Sequence, residues 1–108
     1  MPLLQVTIPA SPVPTRLTVD QTDPTAAILC GTVIIQSARA NTAALYIGDS
    51  TVDSATPIGL ELPAPASGLL LPSLSIPSPG NVNSLNLADI WIDSVTGSQI
   101  VNVFYVIM

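Results

Sequence analysis

The chain is expected to fold as an all-β protein, a sandwich or small barrel of short antiparallel strands. Three observations carry that expectation. Eleven prolines are scattered among 108 residues, which rules against long helices because each ring removes an amide donor and clashes with the preceding turn. Short runs rich in Val, Ile, Leu and Thr recur between these breakers. Apolar residues make up 48% of the chain but aromatics only 4%, so the core must be built from small aliphatic side chains, which suit sheets packed face to face.

In chain order the expected strands are LLQVTI (3–8), TRLTV (15–19), AAILCGTVIIQSA (26–38), TAALYIG (42–48), IGLEL (58–62), GLLLP (68–72), SLSI (73–76), ADIWID (88–93) and QIVNVFYVI (99–107). Period-two alternation supports several of them. Leu17 and Val19 share one face and Arg16 and Thr18 the other. Ile90 and Ile92 oppose Trp91 and Asp93. In the last run, Val101, Val103, Tyr105 and Ile107 alternate with Ile100, Asn102, Phe104 and Val106. Both of its faces are mostly apolar, as expected of a central strand or of one that faces another subunit.

The connectors follow from turn chemistry. SVTGSQ (94–99) reads as a hairpin turn, with Gly97 available for a positive φ. IPSPGNVNS (76–84) reads as a loop, and residues 84–89 as one short helical turn with Ser84 as its cap. Prolines 2, 9, 12 and 14 mark residues 1–14 as an extended arm ahead of a single sandwich domain over residues 15–108. That length corresponds to about one domain.

Charge restricts the function classes. Seven carboxylates against Arg16 and Arg39 give a net charge of −5, and there is no lysine or histidine. Two arginines cannot neutralise a run of phosphates, so nucleic acid is not an expected partner, and neither is an anionic membrane surface. Charged residues are only 8% of the chain, against about 25% in ordinary soluble domains, and mean hydropathy is +0.61. Such a surface is expected to be covered in part by partners. No apolar run approaches the ~20 residues that span a bilayer. The start, MPLLQVTIPASPVPT, lacks a basic segment, so synthesis without Sec export is expected. Cys30 lies among apolar neighbours and reads as a buried small hydrophobe.

Candidate chemistry centres on LYIGDSTVD (45–53). Gly48, Asp49 and Ser50 superficially match the nucleophile block of GDSL-type hydrolases, but a serine nucleophile needs a base and the chain has no histidine. Asp49 and Asp53 could offer oxygens to Ca²⁺, which wants six to eight ligands and finds too few here. No glycine pattern cradles a phosphate, and nothing selects a pair among the acids for glycosidase chemistry. The stretch is therefore expected to be a polar corner between two strands. No catalytic, cofactor-binding or metal residue is assigned, no cofactor is expected, and the chain is not expected to be an enzyme.

One pattern carries more. Asn41, Leu45, Tyr46, Ile47 and Gly48 are followed by a Ser/Asp turn, Ile58 and Leu60, an apolar strand, then Leu87, Ile90, Trp91 and Ile92 and a hairpin at Gly97. This order, which spans about three-fifths of the chain, resembles the small β-sandwich proteins encoded in the structural modules of tailed bacteriophages. Where those proteins carry a short PGES-like turn, this chain has ELPAPASG (61–68). The resemblance implies a jelly-roll-like sandwich and a virion component on the capsid surface, made in the host cytoplasm. The expected role is a capsid decoration (cement) protein that binds the major capsid protein as a homotrimer and stabilises the head shell. Aliphatic strand faces are then expected to join the copies, with arm and loop residues on the shell. The alternatives are a head-fibre or tail-adaptor component, and a carbohydrate-binding sandwich using Trp91, Tyr46 or Tyr105 as a stacking platform.

Overall fold

The computed structural model describes residues 3–65, 71–78 and 82–107. It is all-β, with two four-stranded antiparallel sheets enclosing one aliphatic core. The first sheet contains β1 (Leu3–Thr7), β4 (Thr32–Ser37), β7 (Ser73–Pro77) and β10 (Ile100–Val106), in the order β1-β10-β4-β7. The second contains β2 (Thr15–Arg16), β5 (Leu45–Gly48), β6 (Leu60–Leu62) and β9 (Trp91–Asp93), in the order β2-β9-β5-β6. A two-stranded ribbon pairs β3 (Leu29–Cys30) with β8 (Leu85–Asn86). Apart from the β5–β6 corner and the ribbon strands, successive strands alternate between the two sheets.

Alternation places the core. Val101 and Val103 of β10, Val33 and Ile35 of β4 and Val6 of β1 point inward and are almost fully buried. They meet Leu45 and Ile47 of β5 and Ile92 of β9 from the opposite sheet, with Leu17, Leu87 and Cys30 closing one side. β10 pairs along its length with both β1 and β4, Val103 lying between Leu4 and Ile35 and Phe104 between Leu3 and Ile34. It is therefore a central strand.

The segment expected to be an extended arm divides in two. Leu3–Thr7 is an edge strand of the first sheet, and Val6 and Ile8 are core residues. The proline-rich stretch after Ile8 carries the chain across to β2 in the second sheet.

Several element bounds differ from expectation, each for a local reason. The strand expected over 15–19 stops at Arg16, because the Thr18 hydroxyl donates to the Pro24 carbonyl and Val19 N–H donates back to Arg16 O at 3.1 Å. The long run at 26–38 breaks at Gly31, whose N–H donates to Val106 O at 2.7 Å while its carbonyl accepts from Ser78 N–H at 2.7 Å. The helical turn is a 3₁₀ turn over Leu87–Asp89, and its cap is Asn86, not Ser84. Asn86 Oδ1 accepts from Ala88 N–H at 3.0 Å and also from Ile28 N–H at 3.2 Å. Most of the strand expected at 68–72 lies outside the described residues, and its described members Leu71 and Pro72 are not in a strand.

Residues 94–99, expected to be a hairpin turn, are instead a crossover from β9 in the second sheet to β10 in the first, because β9 pairs with β2 and β5 and β10 with β1 and β4. The positive φ is taken by Ser98 (62°) and not by Gly97. Ser98 N–H donates to Ile8 O at 3.0 Å, so a tertiary bond holds a residue that would otherwise avoid this region. Gly97 is needed for close approach: a Cβ there would lie 2.1 Å from the Ala10 carbonyl oxygen. Behind this crossover, the Asn41 side chain both accepts from Ile100 N–H and donates to Ile100 O, each at 2.7 Å, acting as a substitute strand residue. Gln99 Oε1 accepts from the Thr42 and Ala43 amides at 2.8 and 3.1 Å.

Two substitutions test this packing. Ile35→Ala should lower the unfolding free energy by about 2–5 kcal/mol, because it empties a site with no exposure. Gly97→Ala should lower it by about 1–3 kcal/mol by forcing the Ala10 backbone away. Urea denaturation measures both. A loss under ~1 kcal/mol at Ile35 would contradict its place at the centre of the core.

Candidate functional site

The LYIGDSTVD stretch ends β5 at Gly48 and turns through Asp49 to Val52. A bridge then forms at Asp53, whose N–H donates to Ile58 O at 3.0 Å while Ile58 N–H donates to Asp53 O at 2.7 Å. Val52 plugs the corner at 3% exposure. Gly59, at φ 135°, lies so close beneath it that a Cβ would meet Val52 Cγ2 at 2.8 Å. The chain then continues into β6.

The polar atoms of this corner are engaged in holding it. Asp49 Oδ1 accepts from Thr51 N–H at 2.8 Å and from the Thr51 hydroxyl at 2.5 Å. Asp53 accepts from Ala55 N–H at 2.9 Å and from the Thr56 hydroxyl at 3.0 Å. Asp93 is buried although it lies on the outer side of the second sheet, because Ser54 N–H folds down to donate to its Oδ2 at 2.8 Å. Three carboxylates thus replace the ladder bonds that the loop lacks. Among the described residues no group of three or more His, Cys, Asp and Glu side chains comes together as a metal cluster.

These bonds set the acidities. The Thr51 hydroxyl and then its amide hold the Asp49 carboxyl below the usual carboxylate range. The Ala55 amide and then the Thr56 hydroxyl do the same for Asp53, and the Thr25 hydroxyl and amide for Asp23. Burial pushes the Cys30 thiol up, and its Sγ donates to Leu85 O at 3.5 Å.

The aromatic residues are placed differently from one another. Trp91 sits on the outer side of the second sheet, in a row between Arg16 and Gly48. Arg16 lies over its ring, with Cζ 4.8 Å from the centroid, and Arg16 Nη1 donates to Ala88 O at 2.9 Å. The guanidinium therefore occupies the indole face that a stacked sugar would need. Tyr46 lies on the same side, opposite Asp93 and Glu61, whereas Tyr105 packs against the core. An open cleft of about 640 Å³ runs between Pro12–Pro14, Thr51–Ala55 and Asp93–Val95. Its buried carboxylate is the one already bonded to Ser54.

The largest regularity lies on the other side of the molecule. The outward residues of the first sheet fall into four cross-strand rows: Thr7–Ile100, Gln5–Asn102–Gln36–Ser73, Leu3–Phe104–Ile34–Ser75, and Val106–Thr32–Pro77. No residue of these four strands is charged. Leu3, Ile34, Phe104 and Val106 stand 54%, 40%, 44% and 40% exposed. All seven carboxylates and both arginines belong to the second sheet or to connectors. The alternation of residues 99–107 and the absence of charge from the four segments were the signal in the sequence. The register that joins them into one face was not. Compared with protein-family models, curated proteins and solved structures, the chain matches none.

Two outcomes are expected. Asp23, Asp49 and Asp53 are harder to protonate in the folded turns than in the unfolded chain. Their contribution is therefore fully present above the ordinary carboxylate value of about 3.9 and is lost as pH falls through their lowered values. NMR titration of the Thr25, Thr51 and Ala55 amides should show midpoints below that value, and midpoints at or above it would contradict the bonding described. Cys30 should stay unmodified by a thiol reagent at neutral pH until the protein is unfolded. Rapid labelling of the native protein would place the thiol at the surface.

Proposed function

We propose that this chain is a structural virion protein of a tailed phage, a capsid decoration (cement) protein that binds the major capsid protein of the head shell as a homo-oligomer. The observation that carries this reading is the segregated surface. One sheet face is uncharged and bears large exposed aliphatic and aromatic groups, while the carboxylates gather on the opposite sheet and the connectors. Such a surface suits a protein that works by contact area.

Topology supports the same reading. Setting aside the two-residue ribbon strands, eight strands form two four-stranded sheets ordered β1-β10-β4-β7 and β2-β9-β5-β6, and the chain repeatedly crosses between them. We read this order as that of a jelly roll, an architecture found in viral coat proteins. The Asn41–Val106 resemblance points the same way, and Asn41 and Gly48 hold positions on which the start of β10 and the corner depend. The role needs no catalysis. A protein that binds only the assembled shell stabilises it by mass action, by about 2.7 kcal/mol per site at a free concentration one hundred times Kd. Shell contact is assigned to the proline-rich crossing after Ile8 and to the loops.

Co-sedimentation tests the proposal. The purified protein should pellet in fixed stoichiometry with heads of its source phage that have been stripped of their own copy, and it should raise the temperature at which those heads release DNA. Saturating protein that stays in the supernatant and leaves the release temperature unchanged would overturn it.

A further inference from the structure

We infer that the uncharged outer face of the first sheet is a self-association surface, occupied by the same face of another copy of this chain. The inference deepens the homo-oligomeric part of the reading above. It does not depend on the shell, so either can fail alone.

Charge selects the occupant. Each copy carries a net charge of −5, and like charges brought within a Debye length, about 8–10 Å, repel. Two copies meeting through their second sheets would have to take Glu61, exposed beside Tyr46, and Arg16, over Trp91, out of water. Two copies meeting through their first sheets bring no charged strand residue to the contact. A basic partner would find nothing on this face to pair with.

The polar row favours the same occupant. Gln5, Asn102 and Gln36 are neighbours in register, and Gln5 Nε2 donates to Asn102 Oδ1 at 3.2 Å. Every amide has both a donor and an acceptor, so this row is complementary to itself. Beside it, Leu3, Phe104 and Ile34 form an apolar row that also matches its own image. An interface across a two-fold axis requires this property, because one patch must serve as its own partner.

Area sets the strength. Four strands about 4.8 Å apart, each some five to seven residues long, give a face of roughly 19 by 20 Å, about 400 Å² in projection. A standard interface uses about 800 Å² per partner. Association through this face alone is therefore weak and depends on concentration, and it is reinforced when copies are held side by side on a surface.

Sedimentation equilibrium of the free protein, from about 1 μM to about 1 mM, tests the inference without any capsid. The average mass should rise above the 11.1 kDa of one chain toward that of a two-fold dimer. The rise should persist or steepen from about 0.05 M to about 0.5 M salt, since added salt screens the repulsion and breaks no ion pair. Phe104→Asp and Ile34→Asp should abolish it, while Leu60→Asp, on the opposite sheet, should not. Near-ultraviolet circular dichroism of Trp91 confirms that each variant is folded. A mass fixed at one chain across the range, association that dissolves in salt, or folded Phe104→Asp and Ile34→Asp proteins that associate like the parent would each overturn it. Variants that lose self-association but still bind heads support it. Variants that self-associate normally but lose head binding would assign the face to the shell and overturn it.

Discussion

The burial of Val101 and Val103 on β10 is the interaction on which the rest of the structure depends. Both side chains are completely covered, and the strand that carries them is bonded on both edges. A chain with so few aromatics cannot gather its core around one or two large rings, so it relies on many small aliphatic contacts set in exact register. β10 provides that register for β1 on one side and β4 on the other. Asn41, by pairing its side chain with the Ile100 backbone, fixes where the strand begins. Ser98 and Gly97 then tie the same point to Ile8 and Ala10.

The same strand shapes the outer face of the first sheet. Because its inward positions fill the core, its outward positions Asn102, Phe104 and Val106 are pinned at the middle of a four-stranded face. Apolar groups here are presented on rigid backbone, which lowers the ordering cost of any contact they make. The carboxylates are held elsewhere, several of them spent on turns: Asp49, Asp53 and Asp93 stabilise the corner that connects β5 to β6. Local structure thus accounts for the separation of charge from the uncharged face.

Much of the fold was legible in the sequence, and what was missed has physical causes. Strands β1, β4, β5 and β7 follow from β-rich runs between proline and polar breakers, β10 also from its alternation, and the corner at residues 49–58 from its turn residues. The shortening of the second strand depends on a hydroxyl of Thr18 finding the Pro24 carbonyl, a contact that no period-two pattern encodes. The exchange of roles between Gly97 and Ser98 depends on the Ala10 backbone, which is remote in sequence. Asn86 displaced Ser84 as the cap because it also reaches Ile28 in the adjoining ribbon. The candidate surface was half legible: the absence of charge is a property of the segments, but their joining into one face is a property of the strand order.

The proposed meeting surface between copies of this protein is the uncharged face of the first sheet. Hydroxyl-radical footprinting of the free protein at low and high concentration measures this side chain by side chain. Phe104, Ile34 and Leu3 should lose reactivity as the concentration rises, while Ile58 and Leu60, exposed on the corner beside the other sheet, should keep theirs. Protection of Ile58 and Leu60 with unchanged labelling of Phe104 and Ile34 would contradict the account.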